Sequence, residues 1–222
     1  MRAMILAAGR GERMMPLTKN TPKPLIKVGN QTLIEYSINV LKKAGIIDIV
    51  INIAYLGEQI KTYLGDGTKF GINISYSDES QNTLETAGGI IKALPLLGNE
   101  PFIVINSDVI CDYDLSQLAL PINSLAHLVL INNPAHNSKG DFSIANNQQI
   151  TLLDCNNFTF SGIGIYHPDL FKSHLDTQQK LALYPLLKEA MDNNQLTGEH
   201  YQGIWHDVGT PERLEIVNSE NN

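Results

Sequence analysis

The chain carries short, near-continuous apolar runs separated by amphipathic segments, and this alternation restricts the fold more than any other feature. Residues 3–8, 46–53 and 102–105 are such runs. A strand covered on both faces reads this way, whereas a strand with one wet face alternates. Between the first two runs, residues 31–44 place Leu33, Ile34, Ile38 and Leu41 at helical spacing, and Gly45 stops the helix. Helices are expected again at 56–64 and 84–97, and residues 72–76 alternate as a further strand. Strands alternating with helices specify an α/β fold, a doubly wound, mostly parallel, Rossmann-like sheet. Ligands of such sheets sit beyond the carboxyl ends of the strands. The glycines after Ala8 and the acid Asp108 after the fourth strand both fall there.

Past Asp108 the pattern changes. A short helix is expected at 115–120 and an apolar strand at 126–131. Residues 141–145, 149–153 and 158–166 are spaced like antiparallel hairpins. Helices follow at 168–173 and 181–191. Residues 196–201 and 204–206 read as a last hairpin around Gly203, and a helix closes the chain at 211–217 with Pro211 in its first turn. The polar tail 218–222 is expected to fray.

The composition is that of an ordinary globular protein, 43% apolar and 18% charged over 222 residues. There is no signal-peptide layout, and the apolar runs are far too short to span a membrane. Two cysteines, Cys111 and Cys155, form no metal-spacing motif and imply no disulfide framework, which fits a reducing cytoplasm. A net charge of −7 argues against general nucleic-acid binding. Against that background, residues 1–28 hold Arg2, Arg10, Arg13, Lys19, Lys23 and Lys27 and a single acid, Glu12. A local cationic loop on an acidic protein suits a small polyanion such as a nucleoside triphosphate.

That loop has more than charge. Gly9 and Gly11 let the backbone turn sharply and approach a ligand with no Cβ in the way. Turns of this kind present N–H groups to phosphate oxygens. Lys23 stands between Pro22 and Pro24, on what should be a stiff, extended arm. The dinucleotide fingerprint fails, because Met14 stands at its third glycine, and the Walker A pattern is absent. A nicotinamide dehydrogenase is therefore a poor reading.

Written out, the opening is L-A-A-G-R-G-E-R-M-M-P-L-T with a following P-K-P, and it resembles the signature of the sugar-1-phosphate nucleotidyltransferases. The resemblance continues through Glu85-Thr86-Ala87-Gly88-Gly89, Asn106-Ser107-Asp108-Val109, Gly140-Asp141-Phe142, Phe160-Ser161-Gly162, Gly198-Glu199-His200-Tyr201 and Trp205-His206-Asp207-Val208-Gly209-Thr210. Order and spacing look most like the short bacterial uridylyltransferases of the family, whose sugar is N-acetylmuramate 1-phosphate and which serve cell-wall sugar recycling. The resemblance covers nearly the whole chain. The chain is expected to be one domain over 1–222, with a nucleotide-binding half at 1–110 and a sugar-phosphate-binding half at 111–222, and its short length is compatible with a monomer or small homo-oligomer.

The family reaction joins a nucleoside triphosphate, here UTP, to a sugar 1-phosphate and releases pyrophosphate. Several anionic groups must crowd together, so such a site works by positioning and charge neutralisation. By resemblance, Arg13 and Lys23 are the catalytic phosphate-handling pair. Asp108 and Asp207 are the ligands of Mg²⁺, a hard cation that takes oxygen donors. The nucleotide-binding set is Ala7, Ala8, Gly9, Gly11, Arg13, Lys23, Glu85, Gly88 and Ser107, and the sugar-binding set is Asn106, Asp141, Gly162 and Glu199. Lys139 is a candidate partner for the lactyl carboxylate of an N-acetylmuramate. Asp114 reads instead as a helix N-cap, Lys27 as a solvated surface lysine, Met14 and Met15 as packing residues, and the six histidines as structural or surface groups. The rival readings are another substrate pair, such as mannose 1-phosphate with GTP or glucose 1-phosphate with dTTP or UTP, and a non-catalytic nucleotide-sugar sensor. A sensor would be expected to lose Arg13, Lys23, Asp108 or Asp207, and all four are present.

Overall fold

The computed structural model describes residues 1–152, 157–175 and 179–220. Its strands are β1 (Ala3–Leu6), β2 (Lys27–Val28), β3 (Gln31–Thr32), β4 (Asp48–Ile53), β5 (Asn73–Asp78), β6 (Phe102–Asn106), β7 (Val109–Cys111), β8 (Ala126–Ile131), β9 (Ser143–Ile144), β10 (Ile150–Thr151), β11 (Thr159–Tyr166), β12 (Leu196–Tyr201) and β13 (Trp205–Asp207). Its α-helices are α1 (Leu33–Lys43), α2 (Gly57–Leu64), α3 (Glu85–Leu97), α4 (Tyr184–Asp192) and α5 (Pro211–Glu220).

Seven strands form the central sheet in the order β12-β8-β11-β6-β1-β4-β5. The pairings β1–β4, β1–β6, β4–β5 and β8–β12 are parallel. Strand β11 is antiparallel to both of its neighbours, β6 and β8. It alone runs against the sheet, so the expected α/β, mostly parallel architecture holds across almost its full width.

The strands bury both faces, as their apolar runs require. Ile5, Ile51 and Ile105 point into one core with Ile34, Ile38 and Leu41 of α1 and Ile60 of α2. Met4, Val50 and Val104 point into the other with Ala87 and Ile90 of α3 and Leu187 of α4. Alternate residues of one strand thus serve opposite layers. Helix α1 starts where the sequence marks it: the Glu35 carboxylate reaches back and accepts from the Thr32 N–H at 2.6 Å. A third, small core of Met14, Val28, Leu33, Val208 and Val217 ties the opening loop to the C-terminal segment.

The C-terminal half departs from the sequence reading in several places. Residues 196–206 are not a hairpin. Strand β12 pairs in parallel with β8, and β13 pairs antiparallel with β7, a strand the apolar pattern did not mark. The physical reason is burial: Leu196, Thr197 and Gly198 are covered, so β12 completes the main sheet, while half-buried Trp205–Asp207 extends a separate ribbon. Two of the expected helices are 3-10 turns, Leu115–Gln117 and Pro168–His174. Helix α4 starts three residues late, because the Leu181 backbone is bonded to Leu84 and Gly88 instead. The short pairs β9 and β10 replace two longer strands. The end of the 149–153 run, at Leu153, lies outside the described residues, as does Cys155. Helix α5 continues to Glu220 where fraying was expected, and residues 221–222 lie outside the described residues. Among the described residues no helix is long and apolar enough to cross a membrane.

Candidate active site

A cleft of about 580 Å³ opens beyond the carboxyl ends of β1, β4 and β6. Ala7, Ala8, Gly9, Gly11, Arg13, Lys23, Glu85, Asn106, Ser107 and Asp108 all line it. A Cβ on Gly9 would meet no atom within 4 Å, so the backbone there faces open space that a ligand can fill. Gly11 has φ +64°, and its missing Cβ clears Thr18 and the Cβ of Lys23. Gly88 is brought elsewhere. It is buried in α3, where a Cβ would sit 2.9 Å from the Leu84 Cβ and 3.1 Å from the Gln179 carbonyl oxygen.

Lys23 belongs to a one-turn 3-10 helix, Lys23–Leu25, rather than to the extended arm its flanking prolines suggest. The Pro22 carbonyl accepts from Leu25 N–H at 2.8 Å, and this turn aims the lysine inward. Its ammonium pairs with the Asp108 carboxylate, and only 15% and 20% of the two side chains is exposed.

The β7–β13 ribbon brings in the second aspartate. Asp207 stands opposite Val109, and the Val208 N–H donates to the Asp108 carbonyl at 2.9 Å. Two acids 99 positions apart in sequence numbering are thus held side by side in space. Arg213 Nη1 donates to both Asp207 oxygens, at 2.7 and 2.6 Å, and His136 Nε2 lies 3.3 Å from Asp207 Oδ1. Gly209 permits this, since a Cβ there would run into the Arg213 guanidinium. Burial pushes the Asp207 carboxyl above its ordinary value, Arg213 and His136 oppose that, and the charge of Asp108 adds to it. Among the described residues no group of three or more His, Cys, Asp or Glu side chains is arranged to hold a metal ion. Each of the two carboxylates is instead ion-paired, Asp108 with Lys23 and Asp207 with Arg213; oxygen donors of this kind are the type a hard divalent cation takes.

A second cleft of about 560 Å³ adjoins the first. Arg13 lines both, and the second is walled by His136, Tyr201, Trp205, Asp207 and Arg213. Of the sugar-binding candidates, Asn106 lines the first cleft; Asp141, Gly162 and Glu199 line neither. The Asp141 carboxylate accepts from Phe160 N–H at 2.8 Å and from Asn137. Gly162, at φ +80°, forms an irregularity in the β11–β8 pairing, and a Cβ there would lie 2.5 Å from Asn106 Nδ2. It leaves room for the Asn106 side chain. Glu199 accepts from the Tyr113 hydroxyl and sits 3.7 Å from His127 Nε2. Lys139 and Lys27 are exposed, Asp114 caps its turn by accepting from Ser116 N–H, and Met14 is fully buried whereas Met15 is 51% exposed.

Sequence reasoning missed Asn52, Glu79, His136 and Arg213. Asn52 interrupts the β-branched run of β4, and a lone amide in such a run is a buried polar group that must find partners. Arg213 carries no signal until α5 folds back onto Asp207. Glu85 adds a feature visible only in the backbone: φ is +60° at a residue with a side chain, at the lip of the cleft.

The nucleotidyl transferase family model matches residues 2–221. The chain belongs to this family. The N-acetylmuramate alpha-1-phosphate uridylyltransferase of Neisseria meningitidis serogroup B is 48% identical over 221 residues, covering 96% of this chain and 95% of that protein. The mannose-1-phosphate guanyltransferase of Hypocrea jecorina is 31% identical over 95% of this chain, which spans 61% of its length. Two solved structures share the fold. One is assigned as a glucose-1-phosphate thymidylyltransferase from Bacillus anthracis, with a TM-score of 0.84, 22% identity and coverage of 99% and 95% of the two chains. The other is the inositol-1-phosphate CTP transferase of T. maritima, with a TM-score of 0.80, 17% identity and coverage of 97% and 94%.

Proposed function

We propose that this nucleotidyltransferase forms UDP-N-acetylmuramate and pyrophosphate from UTP and N-acetylmuramate 1-phosphate. The observation that carries the sugar and the base is the 48% identity, over nearly the full length of both chains, to a uridylyltransferase of that substrate. The cleft supplies what the chemistry needs. A phosphate oxygen of the sugar 1-phosphate forms a bond to the α-phosphorus of UTP, and the bond from that phosphorus to the β-phosphate bridge oxygen breaks. The electron pair leaves with pyrophosphate, so no protein nucleophile is required.

Lys23 and Arg13 neutralise charge on the reacting phosphates; that Arg13 lines both clefts supports its contact with phosphates of both substrates. The glycine loop cradles the triphosphate, and the second cleft receives the sugar. Asp108 and Asp207 would hold a Mg²⁺ ion, whose chemistry there is charge neutralisation and alignment of phosphate oxygens. The sugar product suits a role in peptidoglycan sugar recycling in the cytoplasm. The enzyme incubated with UTP, N-acetylmuramate 1-phosphate and Mg²⁺ should yield a product with the mass of UDP-N-acetylmuramate and one equivalent of pyrophosphate. Consumption of UTP without that product would overturn the assignment.

A further inference from the structure

We infer that Asn52 and Glu79 are positioning residues that fix the glycine loop against the nucleotide-side wall of the cleft. The inference rests on the proposed reaction only for its kinetic readout. Asn52 is the penultimate residue of β4 and is 4% exposed; Glu79 follows β5 and is 1% exposed. The Ala7 N–H donates to Asn52 Oδ1 at 2.8 Å, and Asn52 Nδ2 donates to Glu79 Oε1 at 2.7 Å. The other carboxylate oxygen, Glu79 Oε2, accepts from the Leu84 N–H at 3.2 Å. One chain of hydrogen bonds therefore runs from the first residue of the glycine loop to the residue that opens into α3.

The direction of every bond in this chain is fixed. Ala7 meets Asn52 with its N–H, which can only donate, so Asn52 must turn its oxygen to it and its NH2 away. Glu79 then meets a donor on each oxygen, and an acceptor-only carboxylate satisfies both. The helix is built around the contact. A Cβ on Gly89 would fall 2.6 Å from Glu79 Oε1 and 3.0 Å from Asn52 Nδ2, so a side chain there would dislodge the pair. Both residues line the cleft beside Ala7, Thr83 and Thr86. The pair also commits the Ala7 N–H, which is therefore spent on the protein rather than on phosphate.

Fixed directions make the inference testable by exchange. Asn52→Asp sets two carboxylates face to face, and Glu79→Gln points an amide NH2 at a donor. The double variant Asn52→Asp with Glu79→Gln restores every bond: the carboxylate introduced at position 52 accepts from Ala7 and from the new amide, whose oxygen accepts from Leu84. Net charge is unchanged. The measurement is kcat and KM for each substrate by pyrophosphate release, with calorimetric UTP binding alongside. Each single substitution should raise the UTP KM about tenfold, as an unsatisfied buried polar group costs, and leave the sugar-phosphate KM within about threefold. The double variant should return the UTP KM to within about threefold of the starting enzyme. Wild-type UTP KM in both single variants, equal movement of both KM values, or no recovery in the double variant would overturn the inference. If a single variant does not fold, Gly89→Ala strikes the same contact from the helix: a raised UTP KM supports the inference and an unchanged one contradicts it. Should the unaltered protein release no pyrophosphate with any sugar 1-phosphate, the proposed reaction fails, and UTP binding in the same variants still decides the role of the pair.

Discussion

Asp108 and Lys23 hold each other in the first cleft, and their substitutions should separate two roles. Asp108→Asn removes the carboxylate that the proposed reaction assigns to the cation but keeps the volume of the side chain. Turnover should fall below detection while far-ultraviolet circular dichroism stays unchanged; substantial activity would remove Asp108 from the metal site. Lys23→Ala should lower kcat by about two to three orders of magnitude, the scale of losing one preorganised charge contact at a reacting phosphate. A change in KM alone would make Lys23 a binding residue. Glu85 makes a different demand. A left-handed backbone costs a side-chain-bearing residue on the order of 1 kcal/mol, so Glu85→Gly should raise the thermal midpoint by about 2 °C. A lower midpoint would show that the carboxylate stabilises the fold. Cys111 provides a control on burial, which pushes its thiol up to about 11. The thiolate is the reactive form, so at pH 8 a Cys155→Ser protein should react with a thiol reagent in the native state far more slowly than when unfolded.

At the level of elements, two devices assemble the site. The β7–β13 ribbon sets Asp207 beside Asp108, and the small core around Met14 holds the opening loop against Val208 and Val217. Met14 is fully buried, so Met14→Ala should cost about 2–5 kcal/mol by leaving a cavity. The same substitution should loosen Arg13, its neighbour, and raise KM for both substrates. Normal kinetics with normal stability would detach the loop from that core. These devices explain what the sequence discloses. The runs in β1, β4 and β6 are legible because burial on both faces leaves a local, unbroken apolar signature. Gly11 is legible because its left-handed backbone needs glycine locally. The ribbon is not legible: Val109–Cys111 is three residues long, and its partner arrives almost a hundred residues later. Arg213 and His136 escape for the same reason, since their common target, Asp207, exists for them only after folding. Asn52 did leave a local trace, a lone amide in an isoleucine-rich run, but its partner Glu79 is fixed by packing alone.

On the scale of the whole molecule, the sheet divides the work. The parallel strands β1, β4 and β6 end at the first cleft, while β13 and α5 help to wall the second, and Arg13 lines both. On the proposed reading, that shared cation is where the phosphates of the two substrates meet. The most direct test of this account is kcat/KM for pyrophosphate release across a grid of nucleoside triphosphates and sugar 1-phosphates in the presence of Mg²⁺. The account predicts a maximum at UTP with N-acetylmuramate 1-phosphate, well above GTP with mannose 1-phosphate and dTTP with glucose 1-phosphate. A maximum at either of those pairs, or no release at any pair while UTP still binds, would contradict it.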